Sequence, residues 1–482
     1  MFRYTGHPFV DVGVATLVAY AGVSKPGQLT ERHVDDFTTR IVDWYMNPMM
    51  AGYLSYVVFA NARFANPAQI NNPKYDDQRR MALSELLNLW RWQLGDPVPA
   101  KEEPADEGEL CVFSGDPAVI RASRVLIPMT TDETNINFVP EGRPKLPIAG
   151  WCVLALLAMP LGTLKSKGKM WLVHSTNSQT SQHFAVLNLE RNRKAFQMSG
   201  LEKLPNYKFA RTHLIKDLIA TQESQHYFVR NAPLTAYWFT SSGQKSEIEI
   251  VHLPSNIIEF VTHAIRSYEP AWRAIEKRAW ALQDKEAEIE DGELAYSDRN
   301  YFYEDLFELP HGAAKFLRTY LLRRRFAGKP SGKQKADPRY EYSFIKDREA
   351  ISWNLTEYFL EKVMNMDKER IEAIRNLGDR LAAYIQRHDS RLFKKLFLAR
   401  NDYQLRLELL RAANSAMGQL LPYDEFITVF FIDDGETVKP DWYFARDLLM
   451  VRIIEGLHQT DWIESHKDVV DDVDATLNDA DA

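Results

Sequence analysis

A stripe of apolar side chains at helical spacing runs through the carboxyl-terminal third of the chain. Apolar residues recur at steps of three and four over residues 371–385, and the spacing continues over 392–410. This period is typical of helices that bury one face. Together with apolar stretches around Phe426 and over 442–457, it predicts a helical bundle over residues 336–482.

The amino-terminal residues 1–95 are also predicted to be mostly helical. Thr30 is a suitable amino-terminal cap for a helix whose apolar residues lie every three or four positions between Val34 and Tyr45. A second stretch with the same spacing covers residues 79–94.

The central residues 96–335 mix helices and strands. Residues 169–175 and 183–190 are typical of two strands joined as an antiparallel hairpin, and residues 247–250 alternate as a half-buried strand does. Further helical stretches are expected over residues 257–285 and 312–326. The predicted fold class is therefore α+β and mostly helical, with a mixed amino-terminal and central region before the carboxyl-terminal bundle.

Three segments are predicted to lie between these elements. Residues 95–109 are rich in proline and acid and indicate a surface loop or linker. Residues 286–305 are acidic and rich in tyrosine, which favours a loop. Residues 323–335 are basic and contain glycine and proline, so they mark the expected boundary between the central part and the bundle.

Charge is distributed unevenly along the chain. The net charge is −7, and the tail over residues 461–482 accounts for all of it with eight acidic residues and one lysine. The tail is expected to be solvated. The longest apolar run, residues 151–161, is too short to cross a bilayer, and the amino terminus does not resemble a secretory signal. These features predict a cytoplasmic protein that does not contact a membrane.

Common catalytic motifs are missing from the sequence. It contains no phosphate-binding Gly-x-x-x-x-Gly-Lys-Ser/Thr loop, no Gly-x-Ser-x-Gly elbow and no His-Glu-x-x-His zinc motif. The acidic pairs Asp35-Asp36, Asp76-Asp77 and Asp433-Asp434 leave a metal-dependent nuclease as an alternative. Adjacent aspartates more often lie on a solvated surface than in a metal site. We therefore expect neither enzymatic activity nor a cofactor.

Three basic clusters are candidates for contact with nucleic-acid phosphates. The first surrounds Gly168, the second lies in residues 323–335, and the third has seven basic against three acidic residues over 387–411. Helical spacing predicts one shared face for four residues of the third cluster, although a solvated helix face has the same pattern. The candidates are Lys165, Lys167 and Lys169; Arg323, Arg324 and Arg325; and Arg387, Arg391, Lys394 and Lys395.

Asparagine-rich loops are the candidates for reading bases. Amide groups pair with base edges, and neighbouring proline or glycine residues hold such groups on stiff loops. The same composition is also typical of ordinary turns. The candidates are Asn61, Arg63, Asn66, Asn71, Asn72, Lys74, Asn135, Asn137 and Arg143.

The two cysteines of the chain each resemble half of a zinc knuckle. Cys111 opens the tetrad Cys-Val-Phe-Ser, and Cys152 closes the tetrad Ala-Gly-Trp-Cys. Structural zinc takes four ligands, and only these two stand at knuckle positions. We therefore expect two buried thiols and no bound metal, with the knuckle region over 111–162 degenerate.

This pattern resembles the CXXC-CXXC family of CRISPR-associated large subunits of type I-B Cascade complexes, with its zinc ligands eroded. The opening Thr-Gly-His-Pro-Phe-Val-Asp over residues 5–11 is similar to the start of that family. The segments over 61–73 and 366–374 are similar to it as well. The resemblance covers most of the chain in separate blocks.

The resemblance implies a non-catalytic, DNA- and RNA-binding subunit of an antiviral ribonucleoprotein complex. It would recognise the protospacer-adjacent motif in double-stranded DNA, assist R-loop formation and recruit the helicase-nuclease. The implied partners are guide RNA, target DNA, and the backbone, guide-5′-end, guide-processing and small subunits. The carboxyl-terminal bundle resembles a small subunit, and an internal start at Met364 or Met366 would produce it separately. Two alternatives to this function remain. One is the metal-dependent nuclease, and the other is an adaptor protein without DNA contact.

Overall fold

The computed structural model describes residues 2–92, 102–130, 144–223, 232–241, 246–282, 287–415, 421–433, 437–470 and 473. The predicted fold class, α+β and mostly helical, is confirmed. The chain forms two compact units. The first contains Met1–Leu214, Thr221–Ser255 and Lys285–Asp298, and the second contains Ile215–Ala220, Asn256–Asp284 and Arg299–Ala482. The basic segment 323–335, expected at a boundary, therefore lies inside the second unit.

The first unit surrounds a mixed sheet with helices. The helices are α1 (Pro8–Ala21), α2 (Glu31–Met46), α3 (Pro48–Tyr53), α4 (Asp76–Leu87), α5 (Gly150–Ala158), α6 (Ser178–Gln197) and α7 (Ala210–Glu223), of which α7 is shared between the units. The strands are β1 (Glu103–Pro104), β2 (Ile120–Ala122), β3 (Leu146–Ile148), β4 (Leu164–Ser166), β5 (Lys169–Ser175), β6 (Lys203–Tyr207), β7 (Leu234–Ser241), β8 (Ser246–Leu253), β9 (Glu288–Glu290) and β10 (Glu293–Tyr296).

Seven strands form the large sheet in the order β8-β7-β5-β4-β6-β10-β9. The pairs β4–β6 and β6–β10 are parallel, and the other neighbours are antiparallel. A second sheet contains β1, β2 and β3. The apolar helices α1 and α5 are buried, and they pack so closely that a Cβ atom at Gly13 would lie 1.9 Å from the carbonyl oxygen of Ala155.

Local sequence signals account for several of these elements. The Thr30 side chain accepts a hydrogen bond from the backbone N–H of His33, so the predicted cap of α2 is confirmed. The predicted strands over 169–175 and 247–250 are confirmed by β5 and β8. The expected loop over 286–305 is wrong, because it contains β9, β10 and a short helix.

The predicted strand over 183–190 is also wrong, since these residues lie in α6. Asn177 caps this helix by accepting from the backbone N–H groups of Gln179 and Thr180. The buried face of α6 includes Asn188 and Asn192, whose side chains donate to backbone carbonyls of residues 161–163. These buried amides interrupt the apolar period and conceal the helix in the sequence.

The second unit contains the predicted carboxyl-terminal bundle and the helices that precede it. Its helices are α8 (Ser255–Ser267), α9 (Glu269–Arg278), α10 (Tyr301–Asp305), α11 (Ala313–Phe316), α12 (Trp353–Lys362), α13 (Lys368–Arg387), α14 (Ser390–Phe397), α15 (Asp402–Ser415), α16 (Tyr423–Phe430), α17 (Trp442–Gln459) and α18 (Trp462–Ser465). Strands β11 (Phe431–Asp433) and β12 (Val438–Pro440) form a hairpin. Helices α13 and α17 cross where a Cβ atom at Gly378 would lie 2.8 Å from the Arg452 side chain. None of the helices in the described ranges has the length and hydropathy to span a membrane.

Candidate nucleic-acid interface

A basic groove in the second unit brings together side chains that are distant in the sequence. Its volume is about 650 Å³, and residues 315–327, the end of α14 and the start of α17 form its walls. The cations that line it are Lys315, Arg318, Arg324, Arg325, Arg400 and Arg446, and the aromatic residues are Phe326, Tyr340, Phe397 and Tyr443. Cations beside aromatic rings suit a polyanion whose bases can stack.

A buried carboxylate fixes one wall of the groove. Nε and Nη2 of Arg446 donate to Oδ1 of Asp447 at 3.1 and 2.8 Å, and Arg318 donates to the other oxygen of that carboxylate. Arg446 also donates to the carbonyl oxygen of Ala399. Because two guanidinium groups share one carboxylate, this wall keeps a net positive charge while its arginines are held in place.

The structure assigns different roles to the three arginines of the second basic cluster. Arg324 and Arg325 line the groove. Arg323 is fully buried: it donates to Oδ2 of Asp347 through Nε at 3.0 Å and Nη2 at 2.7 Å, and its guanidinium lies 3.5 Å from the centroid of the Tyr342 ring. The prediction of a DNA contact at Arg323 is therefore wrong, since its side chain is inaccessible and its charge is paired with Asp347 inside the unit.

The expected single basic face over residues 387–395 is wrong as well. Helix α13 ends at Arg387, and Asp389 caps the separate helix α14 that carries Arg391, Lys394 and Lys395. Lys395 forms an ion pair with Glu408 at 3.2 Å. None of these four cations is in the lining of the groove as the structure describes it, whereas Arg400 from the same cluster is.

The lysine cluster around Gly168 forms the tip of the β4–β5 hairpin. Lys165 is paired with Glu293, and Lys169 is paired with Glu247. Lys167 is exposed, and its ammonium group lies 5.3 Å from the Phe209 ring and 5.8 Å from the Trp238 ring. Lys167 is thus the lysine of this cluster best placed to contact a phosphate.

Several candidate base-reading residues stabilise their own loop. Arg63 is paired with Glu102 at 2.9 Å, and the side-chain oxygens of Asn66 and Asn72 accept from nearby backbone N–H groups. These contacts support the turn-forming alternative for the three residues. The buried side chain of Arg79, which the sequence did not single out, holds the same loop by donating to the carbonyl oxygen of Phe64 at 3.0 Å.

Other candidates in the asparagine-rich segments remain predictions. Asn61, Asn71 and Lys74 are exposed on the loop that Arg79 holds. The candidates Asn135, Asn137 and Arg143 lie outside the described residues.

Three of the carboxylates considered for nuclease chemistry have local partners. Asp35 is paired with Arg91, Asp36 accepts a hydrogen bond from the Tyr20 hydroxyl at 2.8 Å, and Asp76 is paired with Arg79. The side chains of the third pair, Asp433-Asp434, are not among those described.

The four knuckle positions meet in the first unit. Cys111 and Cys152 are buried, as predicted, and their sulfur atoms are 3.7 Å apart. Ser114, at the second position of one Cys-x-x-Cys spacing, hydrogen-bonds to both sulfurs. The backbone N–H of Ala149, at the first position of the other spacing, donates to Cys111. Two tetrads separated by a long insertion therefore lie side by side in the first unit.

These residues do not fit a structural zinc ion. Zinc in structural sites takes four sulfur or nitrogen ligands, and here serine and alanine occupy two of the four positions. Within the ranges that the structure describes, no three His, Cys, Asp or Glu side chains are grouped as metal ligands.

His7 is a half-buried histidine at the start of α1, beside the knuckle region. Its ring lies 4.6 Å from the Phe113 ring, and among the described residues its Nδ1 atom has no hydrogen-bond partner. Burial lowers the pKa of His7 from 6.5 to about 4, against the opposing effect of Asp11. The folded first unit therefore prefers the neutral imidazole.

This preference predicts an acid-dependent loss of stability. Above pH 6.5 His7 is neutral whether the chain is folded or unfolded, so its titration does not change the free energy of unfolding there. As the pH falls towards 4, only the unfolded chain gains the proton, and the folded state should lose about 2 kcal/mol by pH 5. Denaturant unfolding of the native chain and of His7→Gln at pH 7.5 and pH 5 measures this. An equal loss in both proteins would contradict the assignment.

Comparisons with protein-family models, with curated proteins and with solved structures found no match to this chain.

Among the groove residues, sequence reasoning missed Lys315, Arg318 and Arg446, because each is an isolated cation within an otherwise ordinary helical stretch. Their proximity depends on the packing of the second unit.

Proposed function

We propose that this chain binds nucleic acid and serves as the non-catalytic large subunit of a type I-B RNA-guided surveillance complex. The observation that carries nucleic-acid binding is the basic groove, where cations from residues 315–325 and from Arg400 and Arg446 line one space. Phosphate contacts of this kind release counterions and supply most of the sequence-independent affinity for DNA or RNA.

An exposed aromatic ring in the groove supports contact with a strand rather than a small anion. Tyr443 is 47% exposed beside these cations, and its hydroxyl donates to the carbonyl oxygen of Arg400 at 2.6 Å. The Arg446 guanidinium lies 5.4 Å from the same ring. A held aromatic ring next to fixed cations can stack a base while the neighbouring phosphates are neutralised.

The packing of the knuckle positions supports the narrower proposal of a Cascade large subunit. The resemblance rests on two half-knuckles and on the opening over residues 5–11. In the first unit the carboxylate of Asp11 accepts from the backbone N–H groups of Thr5 and Gly6 and from the Thr5 hydroxyl. His174 Nε2 lies 3.3 Å from the same carboxylate. The opening thus forms an organised segment, as a family motif would.

In this proposal the chain reads the motif beside the target in double-stranded DNA, helps to separate the strands and recruits the helicase-nuclease. Pairing with the guide RNA reads the remaining sequence. The exposed residues Asn61, Asn71, Lys74 and Lys167 are the candidates for DNA contact in the first unit. A separate small subunit from an internal start belongs to the same proposal: Met366 directly precedes Asp367, whose side chain caps α13.

The test is binding of the assembled complex, with guide RNA, to target duplexes whose flanking bases are randomised. Complexes with and without this chain are compared, and bound duplexes are sequenced. We expect flank-dependent enrichment with the chain and its loss without the chain. Flank-independent binding in both cases would favour the adaptor alternative, and divalent-ion-dependent cleavage by the purified chain would favour the nuclease.

A further inference from the structure

We propose that Cys111 and Cys152 are a redox-responsive dithiol that hydrogen peroxide converts to an intramolecular disulfide. The inference concerns the first unit alone and is independent of nucleic-acid binding. It assigns the two buried thiols a reversible modification in place of metal binding.

The geometry places the sulfur atoms close to bonding distance. They are 3.7 Å apart, and a disulfide requires about 2.05 Å. Cys152 is in the first turn of α5, whereas Cys111 lies in an irregular turn that ends with Gly115 at a φ of +70°. The turn can therefore supply the remaining movement while the helix stays in place.

The turn also places Cys111 directly beneath the surface. Cys111 itself is 3% exposed, but its neighbours Leu110 and Val112 are 58% and 46% exposed. A small oxidant such as hydrogen peroxide needs only a slight opening of this turn to reach the sulfur. Cys152 is fully buried, so it can react only with its neighbour.

The hydrogen bonds around the pair make the two thiols chemically different. The two thiols hydrogen-bond to each other, and the Ser114 hydroxyl and the backbone N–H groups of Ala149 and Phe113 also stabilise a charge on Cys111. Despite burial, these bonds lower the pKa of Cys111. The hydrogen bond to Cys111, together with burial, raises the pKa of Cys152 well above its usual range. The surroundings thus favour a negative charge on Cys111 over one on Cys152.

The reaction has two steps and releases two water molecules. The Cys111 thiolate attacks one peroxide oxygen, an S–O bond forms, the O–O bond breaks, and the departing hydroxide takes a proton to become water. The sulfur of Cys152 then attacks the sulfur of the Cys111 sulfenic acid. The S–O bond breaks, and the second hydroxide leaves as water with the thiol proton of Cys152.

Intact-mass spectrometry of the full chain after treatment with hydrogen peroxide tests the proposal. We expect a loss of about 2 Da, no free thiol under denaturing conditions, and restoration of both thiols by dithiothreitol. In Cys152→Ser the reaction should stop at a sulfenic acid on Cys111, which dimedone traps. In Cys111→Ser the remaining thiol should react much more slowly than Cys111 does in Cys152→Ser, because Cys152 is fully buried.

Ser114→Ala is the matched control, since it removes one hydrogen bond to the thiolate and leaves both cysteines in place. It should still form the disulfide, but more slowly at pH 6. Separate oxidation of both cysteines to sulfinic acid, equal reactivity of the two single variants, or a purified chain that holds zinc on these sulfurs and resists peroxide would overturn the proposal.

Discussion

Neutralising Arg324, Arg325 and Arg400 together by substitution with glutamine should weaken binding to a labelled oligonucleotide by about 100- to 1,000-fold at 50 mM salt. Each arginine that contacts a phosphate releases about one counterion, so the slope of log K against log salt should also fall by about 2 to 3. The three side chains line the groove from two separate parts of the second unit. Fluorescence anisotropy over a range of salt concentrations, with single-stranded and duplex probes, measures both quantities.

The matched control is the triple variant Arg387→Gln, Arg391→Gln and Arg411→Gln. It removes the same charge from exposed positions outside the described lining of the groove. We expect only a small change, because diffuse charge at a distance is screened by salt. Equal losses in the two triple variants would contradict a defined site and indicate non-specific attraction. Unchanged binding in both would place the nucleic-acid site outside the groove, and no binding by the native chain would favour the adaptor alternative.

Asp347→Ala should destabilise the second unit by about 3–5 kcal/mol, because it leaves the buried Arg323 guanidinium without its carboxylate partner. Asp347 also accepts from Nε of Arg278 at 3.1 Å and from the backbone N–H of Ser343 at 3.2 Å. The second unit should therefore unfold at a lower temperature and at a lower denaturant concentration. A spectroscopic probe specific to the second unit monitors both transitions.

Two further variants separate the cause of this loss from a general effect of mutation. Arg348→Ala removes an exposed pair with Asp461 and should cost less than about 1 kcal/mol. The double variant Arg323→Met and Asp347→Leu removes both buried charges, so it should recover much of the stability lost in Asp347→Ala. A double variant as unstable as the single one would show that the unpaired charge is not the cause.

Local patterns in the sequence were sufficient to predict many of the helices and strands of the fold. The apolar stripe over 371–385 corresponds to α13, the cap at Thr30 forms as expected, and alternation identified β5 and β8. The cap and the apolar periods that identify these elements lie within a few residues along the chain. The same reasoning failed at α6, because its buried face contains asparagines whose hydrogen bonds go to carbonyls of a distant turn.

The candidate site was only partly predictable for a similar reason. A cluster of basic residues marked Arg324 and Arg325, but the same cluster included Arg323, which the fold buries against Asp347. The density of basic residues along the sequence measures how much charge a segment carries. It does not show which cations a unit uses internally and which it presents to a ligand.

The sequence by itself determined the helical and strand periods, the caps, the acidic tail and the chemical identity of the two thiols, since each depends on side chains that are close along the chain. Only the tertiary structure decided that the thiols lie 3.7 Å apart, that Arg323 is internal and that six cations line one groove. These features depend on contacts between residues that are distant in sequence. Burial and ion pairing, which set the role of a charged side chain, exist only after such contacts have formed.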